Sequence, residues 1–168
     1  MKIAFLLVIA AISSSCTSTI YVVRHAEKAA NDGTMASDPD LSNAGQQRAV
    51  ALRDSLAGKT LNNIYATQYK RTLQTAQPTA SAQNIAVYRY NTSSSDSLIE
   101  ALSNKKSKKS LVVGHSNTVP AMLRKIGLNP SMQQIPENDY DNFFIVKISW
   151  FWGRSIRLTE SKYGTVSP

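Results

Sequence analysis

The sequence predicts an α/β protein, a three-layer α/β/α sandwich with a mostly parallel central sheet and a C-terminal hairpin. Short apolar runs typical of buried parallel strands alternate with stretches of helical periodicity. The last two such runs, 143–149 and 154–160, are separated by a short turn, as expected for antiparallel neighbours. The chain has 168 residues, 42% of them hydrophobic, which suits one domain with a substantial core.

The first predicted strand covers residues 20–23, and Arg24 and His25 follow it directly. Burying these two side chains without partners would cost several kcal/mol, on the order of the desolvation penalty for an unpaired charge. They are therefore poor candidates for packing. Open α/β sheets bind ligands at the carboxyl ends of their parallel strands. The pair therefore indicates a functional site.

The elements that follow alternate in type, as a sandwich requires. Ser42 and Thr67 are predicted N-caps, Gly58 and Gly127 are predicted helix stops, and Pro78 predicts a kink or an early helix end. The predicted helices cover 44–57, 69–82, 98–102 and 118–126, and the predicted strands between them cover 63–66, 86–90 and 110–115.

The second histidine has the same setting as the first. His115 ends the apolar run SLVVGH, and the chain has only these two histidines. A lone histidine at a strand end is usually a hydrogen-bonded structural residue, but two placed alike favour a shared site. We therefore expect the first and fourth strands to be neighbours and to bring His25 and His115 together.

The net charge of +8 favours anionic partners. The chain shows no zinc-knuckle spacing, no aromatic run typical of RNA-binding strands and no continuous basic helix, so we expect no nucleic-acid partner. Zinc would need three or four protein ligands, whereas the sequence offers two histidines and one cysteine. We therefore expect no metal at the site.

Residues 1–16 have the pattern of an export signal. Lys2 precedes an apolar run, 3–12, that is too short to span a membrane, and small residues precede Cys16, the only cysteine. This resembles a bacterial lipoprotein signal, with Cys16 as the lipid anchor at a membrane surface. Ordinary signal cleavage is the alternative. The mature domain would then be 17–168, exported to the cell envelope or secreted, with 17–19 as the only spacer before the first strand.

Arginines complete the predicted site. Arg24 adjoins His25, and Arg71 lies near the start of the second predicted helix. Guanidinium groups bind phosphate oxygens in a bidentate manner, and helix N-termini add backbone donors. Two histidines and two arginines therefore suit a dianionic phosphoryl group.

These motifs resemble the histidine phosphatase superfamily, also called phosphoglycerate-mutase-like proteins. They comprise Arg24-His25-Ala26, with alanine at the usual glycine position, then Arg71 and Gly114-His115. The resemblance implies that His25 is a nucleophile forming a phosphohistidine, that Arg24, Arg71 and His115 surround the phosphoryl group, and that no cofactor is needed. The chain lacks a long inserted cap and so resembles the small members.

The resemblance also indicates less specific residues. Asn117, Lys28 and Asn31 occupy positions where family members contact substrate, although each also fits a solvated loop. Ser116 stands where one branch of the family has its acidic residue. The candidates for a general acid are therefore more distant carboxylates: Glu100, Asp96 and Asp139.

The sequence thus predicts a phosphomonoesterase acting through a phosphohistidine on a phosphorylated small molecule or a phosphoprotein. Mutase-type phosphoryl transfer is one alternative. A non-catalytic lipoprotein that binds a phosphorylated ligand is another. The sequence does not indicate an oligomeric state.

Overall fold

The structure is a computed structural model that describes residues 17–30, 38–92, 95–104, 109–150 and 153–167. The predicted signal segment with Cys16, and the candidate substrate residue Asn31, lie outside these ranges. Among the described residues, no helix combines the length and the apolar character needed to cross a membrane.

Six strands form one sheet in the order β3-β2-β4-β1-β5-β6. The first four strands along the chain pair in parallel, and the last two add an antiparallel hairpin. The mostly parallel sheet and its C-terminal hairpin are therefore confirmed. The strands are β1 (Thr17–Arg24), β2 (Asn63–Ala66), β3 (Val87–Arg89), β4 (Lys109–Gly114), β5 (Asn142–Trp150) and β6 (Arg154–Lys162).

Four helices cover the two faces of this sheet and confirm the three-layer class. They are α1 (Asn43–Ser55), α2 (Lys70–Gln83), α3 (Ser95–Ser103) and α4 (Thr118–Lys125). Alternating residues of β1 enter two separate cores. Val22 packs in the core that contains residues of α3 and α4, whereas Val23 packs in the core that contains residues of α1 and α2.

The register between β1 and β4 positions the site. Val23 lies opposite Val113, Arg24 lies opposite Gly114, and the His25 amide donates to the Gly114 carbonyl at 2.9 Å. The two parallel strands therefore end at the same level. This confirms the predicted adjacency of the first and fourth strands and places both histidines at one edge of the sheet.

Three local predictions are wrong. Tyr69, not Thr67, occupies the N-cap of α2, and it makes no side-chain capping bond. The helix also continues through Pro78 to Gln83, so of the two outcomes predicted for this proline, a kink or an early end, the early end is wrong. Strand β1 begins at Thr17 because its first residues pair with β5, which leaves no spacer after Cys16. The predicted cap at Ser42 is confirmed, since its side chain accepts a hydrogen bond from the amide of Gly45.

Candidate active site

A cavity of about 350 Å³ lies at the carboxyl ends of β1 and β4. A larger cavity of about 500 Å³ lies between the ends of α1 and α2, but no histidine lines it, so the smaller cavity is the better candidate for chemistry. The smaller cavity is lined by Arg24, His25, Lys28, Tyr69, Arg71, Thr92, His115, Ser116, Asn117, Thr118 and Glu137.

His25 is held in the protonation state that a nucleophile needs. Its Nδ1 lies 2.8 Å from the Ala26 carbonyl oxygen, and because a carbonyl only accepts, Nδ1 carries the proton. Burial is the main cause that lowers the pKa of His25 to about 3; the nearby charges of Arg24, His115 and Arg71 add to it, and the Ala26 hydrogen bond opposes it. The ring is therefore neutral at neutral pH, with an unprotonated Nε2.

The backbone after His25 is fixed to helix α2. The Ala26 amide donates to the Thr75 hydroxyl at 2.9 Å, and that hydroxyl donates to the Arg71 carbonyl at 2.6 Å. Ala26 and Thr75 are fully buried. This connection couples the position of the His25 ring to the first turns of α2, which carry Arg71.

His115 faces His25, with 5.5 Å between the ring centroids. Its Nε2 lies 3.0 Å from the Thr67 hydroxyl, which lies 2.8 Å from the Thr72 hydroxyl. Burial lowers the pKa of His115 to about 4, with smaller contributions from Arg71 and Arg24. Thr67 therefore orients His115 instead of capping α2, which is the physical reason why the predicted cap is wrong.

Arg71 is held over the cavity by an acid and an aromatic ring. Its Nη1 lies 3.3 Å from Asp38, and its guanidinium carbon lies 4.5 Å from the centroid of the Tyr69 ring. These contacts lie within the range of an ion pair and of a cation–π interaction. They leave Arg71 about one-fifth exposed in the cavity that His25 and His115 line.

Arg24 lines the cavity and also binds the loop at residues 136–139. Its Nη1 donates to the backbone carbonyls of Pro136, Glu137 and Asp139, and its Nη2 contacts the Glu137 carboxylate at 2.9 Å. The Tyr140 ring lies 4.2 Å from its guanidinium carbon. Its Nε is buried and has no hydrogen-bond partner among the described residues. Both terminal nitrogens therefore anchor the loop, and Nε–H remains as an unpaired donor.

The carboxylates named from the sequence do not line this cavity. Asp96 pairs with Lys125 at 2.8 Å, Asp139 pairs with Lys162 at 3.0 Å, and Glu100 is an exposed residue of α3. None of these three candidates for the general acid therefore lies where it could donate a proton to a ligand in this cavity. Of the three residues named for substrate contact, Lys28 and Asn117 line the cavity.

Glu137 is the cavity carboxylate that the sequence interpretation missed. It lies in the polar loop between α4 and β5, 113 positions from the arginine that it contacts. No local period or motif connects residues so far apart. A signal was available in the segment Pro136-Glu137, since proline commonly fixes a loop, but only the tertiary structure shows which site this loop reaches.

Buried His25 predicts that acid lowers the stability of the fold. The folded-state pKa of His25, about 3, lies below the value of 6.5 expected for an unfolded chain, so only the unfolded state gains this proton as the pH falls from 6.5 towards 3. His25 should therefore lower the free energy of unfolding by about 1.4 kcal/mol per pH unit in this window. Urea unfolding between pH 7.5 and 4.5 should show a shallower slope for His25→Gln. An unchanged slope would contradict a buried neutral His25.

Within the described ranges, no group of three or more histidine, cysteine, aspartate or glutamate residues is arranged to hold a metal ion. The cavity instead combines a neutral, buried imidazole, a second imidazole that is partly buried, and two guanidinium groups. Such a set can attack phosphorus and stabilise the charge on its oxygens.

The comparisons with known proteins agree with this chemistry. The family model for the histidine phosphatase superfamily (branch 1) matches residues 20–92. No curated protein sequence matches the chain.

Solved structures share its fold at low identity. A protein assigned as the phosphohistidine phosphatase SixA from Agrobacterium tumefaciens is 22% identical with a TM-score of 0.63, covering 88% of this chain and 99% of its own. A protein histidine phosphatase SixA in complex with tungstate is 16% identical with a TM-score of 0.62, covering 86% and 96%. The mycobacterial glucosyl-3-phosphoglycerate phosphatase is 13% identical with a TM-score of 0.62, covering 88% and 100%.

Proposed function

We propose that this chain, whose residues 20–92 match the family model of the histidine phosphatase superfamily, hydrolyses phosphomonoesters through a phosphohistidine on His25. The family match and the phosphatases among the similar structures support phosphatase activity in general. The observation that carries the proposed mechanism is the state of His25, which is neutral, buried and fixed through Nδ1, so that the lone pair of Nε2 is available for attack on phosphorus.

The surrounding cations would stabilise the transferring group. Negative charge spreads over the three equatorial oxygens of a phosphoryl group in transfer, and fixed donors lower its energy. Arg71 and His115 line the cavity with His25, and Arg24 adds the unpaired Nε–H. Neutral His115 offers one N–H, and an approaching dianion would favour a second proton on its ring. These groups support binding of a phosphoryl dianion.

The cavity size bears on the class of substrate. Pockets that enclose whole organic ligands commonly hold about 300–1,000 Å³, and this one is near the lower end at about 350 Å³. A phosphoryl group fills only part of this volume, so the cavity has room for it and for a small attached group. A phosphorylated protein side chain fits such a cavity, in agreement with the name of the phosphohistidine phosphatases of similar fold. A small phosphorylated metabolite is the other class.

A non-catalytic protein that binds a phosphorylated ligand is the second candidate. The observation in its favour is that both terminal nitrogens of Arg24 are already bonded to the 136–139 loop, which leaves one fewer guanidinium edge for a transition state. A mutase is less well supported, because the cavity does not enclose a substrate that must return to the phosphohistidine.

An assay with p-nitrophenyl phosphate separates these functions. The purified protein should hydrolyse it in the presence of EDTA, and vanadate, which mimics the transferring phosphoryl group, should inhibit. Equilibrium dialysis with inorganic phosphate provides the comparison. Phosphate binding without turnover would support the ligand-binding protein. Loss of activity in EDTA with recovery on adding zinc or manganese would contradict the phosphohistidine mechanism.

We further propose that residues 1–16 direct export and that Cys16 carries a lipid anchor, which would place the domain at a membrane surface of the cell envelope. The support is the apolar run 3–12, which three serines separate from the only cysteine. Strand β1 begins at Thr17, so an anchor on Cys16 would hold the domain directly against the lipid headgroups.

Cys16→Ser should move the protein from the detergent phase to the aqueous phase in Triton X-114 partitioning, because one residue carries the whole lipid contribution. Activity per folded molecule should not change, since the substitution precedes β1. Intact mass provides the control, as the wild-type protein should carry added lipid mass. A wild-type protein of unprocessed, unmodified mass would overturn the export proposal.

A further inference from the structure

The proposed reaction needs a group that can protonate the leaving oxygen. When the bond between phosphorus and the leaving oxygen breaks, that oxygen takes the bonding electron pair and must be protonated if its alcohol is a weak acid. We propose that Glu137 is the general acid and base of this site, an inference that rests on the proposed phosphatase function. It deepens that function by naming the catalytic residue that decides which leaving groups are accepted.

The position of the Glu137 carboxylate is the first argument. One oxygen, Oε2, lies 2.9 Å from Arg24, the residue before the nucleophile. The other, Oε1, accepts from the Ser116 hydroxyl at 3.3 Å, and Ser116 directly follows His115. The carboxylate therefore spans the ends of the two strands that carry the histidines. It lines the same cavity as the rings of His25 and His115.

The anchoring of the loop is the second argument. Arg24 binds the backbone carbonyls of Pro136, Glu137 and Asp139, and the Ile135 amide donates to the Ser116 carbonyl at 2.9 Å. Ile135 is itself completely buried. The backbone of the loop is thus fixed against both strand ends, whereas the side chain of Glu137 is 71% exposed. A fixed backbone with an exposed carboxyl group can present a proton at the mouth of the cavity.

The other acidic residues near the cavity pair with other basic or amide groups. Glu27 contacts Arg48 through both carboxylate oxygens, at 2.7 and 2.9 Å from its Nε. Asp38 accepts from Arg71 and from the Lys70 amide at 2.9 Å, where it fixes the start of α2. Among the described residues that line the cavity, Glu137 is the one carboxylate. It therefore has the best position for proton transfer to a bound substrate.

The charge balance changes when a substrate enters. In the free protein, the Glu137 carboxyl group and Arg24 form an ion pair at 2.9 Å. A phosphoryl dianion beside His25 would compete for Arg24 and bring negative charge towards the carboxylate. Like charges at short range favour protonation of one of them. Substrate binding itself would therefore favour the acid form of Glu137 that the first step requires.

The protons and electron pairs balance over the two chemical steps of the proposed reaction. In the first, Nε2 of His25 forms a bond to phosphorus, the leaving oxygen departs with its electron pair, and it takes the proton from the Glu137 carboxyl group. In the second, the Glu137 carboxylate takes a proton from the attacking water, a new oxygen–phosphorus bond forms, and the electron pair of the nitrogen–phosphorus bond returns to His25. The products are an alcohol and inorganic phosphate, and Glu137 is again protonated.

The test is a series of phosphomonoesters whose leaving groups differ in pKa. Glu137→Gln should lower kcat/KM about 10²-fold for an alkyl phosphate, because proton donation is worth about 10²–10⁴-fold in rate. For p-nitrophenyl phosphate the loss should be less than about 3-fold, because p-nitrophenolate leaves without a proton. A plot of log kcat/KM against leaving-group pKa should therefore be steeper for the variant than for the wild-type protein.

Glu100→Gln is the matched control, since Glu100 is exposed on α3 and does not line the cavity. Its slope should equal that of the wild type. Thermal unfolding of both variants checks the fold, and Glu137→Ala should repeat the steeper slope if Gln perturbs the loop. An equal loss for all leaving groups would show that Glu137 only positions Arg24. A gain for all of them would show that it blocks the site. Either result overturns the proposal.

Failure of the proposed function gives a different result. If the wild-type protein turns over no phosphomonoester and forms no phosphoenzyme, then the phosphatase assignment is wrong. The proposed role of Glu137 is then wrong as well. If wild-type turnover and phosphoenzyme are present and the slopes of wild type and Glu137→Gln coincide, then only the role of Glu137 is wrong.

Discussion

His25→Ala should abolish turnover of p-nitrophenyl phosphate and the formation of an acid-labile phosphoenzyme. The substitution removes the atom that bonds to phosphorus, and no other unprotonated nitrogen in the cavity is held in the same way. It leaves Arg71, His115 and Arg24 in place, so inorganic phosphate should still bind. The measurement is rapid-quench trapping of phosphate label on the protein, with phosphate affinity determined by equilibrium dialysis.

His115→Ala is the matched comparison, because it removes the same ring from the opposite side of the cavity, 5.5 Å away. This variant keeps the nucleophile and should still be labelled. Its rate should fall by roughly 10²–10³-fold, the effect of removing one donor to a developing oxyanion. The two histidine variants should therefore differ in labelling as well as in rate.

Labelling of His25→Ala, or a label that maps to His115 in the wild-type protein, would contradict the assignment of His25 as nucleophile. Loss of phosphate binding in His25→Ala would have another meaning. It would show that His25 contributes mainly to the ground state, because removal of a nucleophile alone should not weaken binding of the product.

Much of the candidate active site could be predicted from local sequence. The apolar runs that end in Arg24-His25 and in Gly114-His115 mark strand ends, and parallel strands place such ends on one edge of a sheet. Their pairing followed from the chemistry that two similarly placed histidines share. The register itself, with Arg24 opposite Gly114, required the structure, because a period of two residues does not specify which strand lies beside which.

The parts that could not be predicted depend on contacts between distant residues. Thr67 has the local appearance of a helix cap, yet its hydroxyl contacts His115, 48 positions later. Arg24 has the appearance of a phosphate ligand alone, yet most of its donors hold the 136–139 loop. In each case the side chain contacts a residue far away in sequence. Local propensity indicates only the role that neighbouring residues suggest.

A glycine in α1 leads to the largest predicted effect on stability, with a sign opposite to that of helix propensity. Glycine in a helix interior costs about 1 kcal/mol relative to alanine, so propensity alone predicts that Gly45→Ala stabilises the protein. In the structure, however, a Cβ on Gly45 would overlap the backbone carbonyl of Glu27. A backbone atom cannot rotate away as a side chain can, so either α1 or the segment after β1 must shift.

That shift would reach the candidate active site at the end of β1. The Glu27 carbonyl accepts hydrogen bonds from the amide and the hydroxyl of Ser42, the N-cap of α1, at 2.9 and 3.3 Å. Glu27 lies two residues after His25, whose Nδ1 is held by the Ala26 carbonyl. Moving Glu27 away from α1 would therefore disturb the cap and the peptide that orients the nucleophile.

Gly45→Ala should lower the free energy of unfolding by about 3 kcal/mol, the upper part of the usual range for overpacking a buried position. It should also lower kcat more than it raises KM, since the phosphate-binding arginines lie outside the clash. Gln46→Ala is the control, because residue 46 is exposed on the same turn and should gain a few tenths of a kcal/mol, roughly as propensity predicts. Urea unfolding of the three proteins measures the difference. An increase in stability for Gly45→Ala would show that α1 does not approach the Glu27 carbonyl so closely. The proposed close contact between this helix and the segment after β1 would then be wrong.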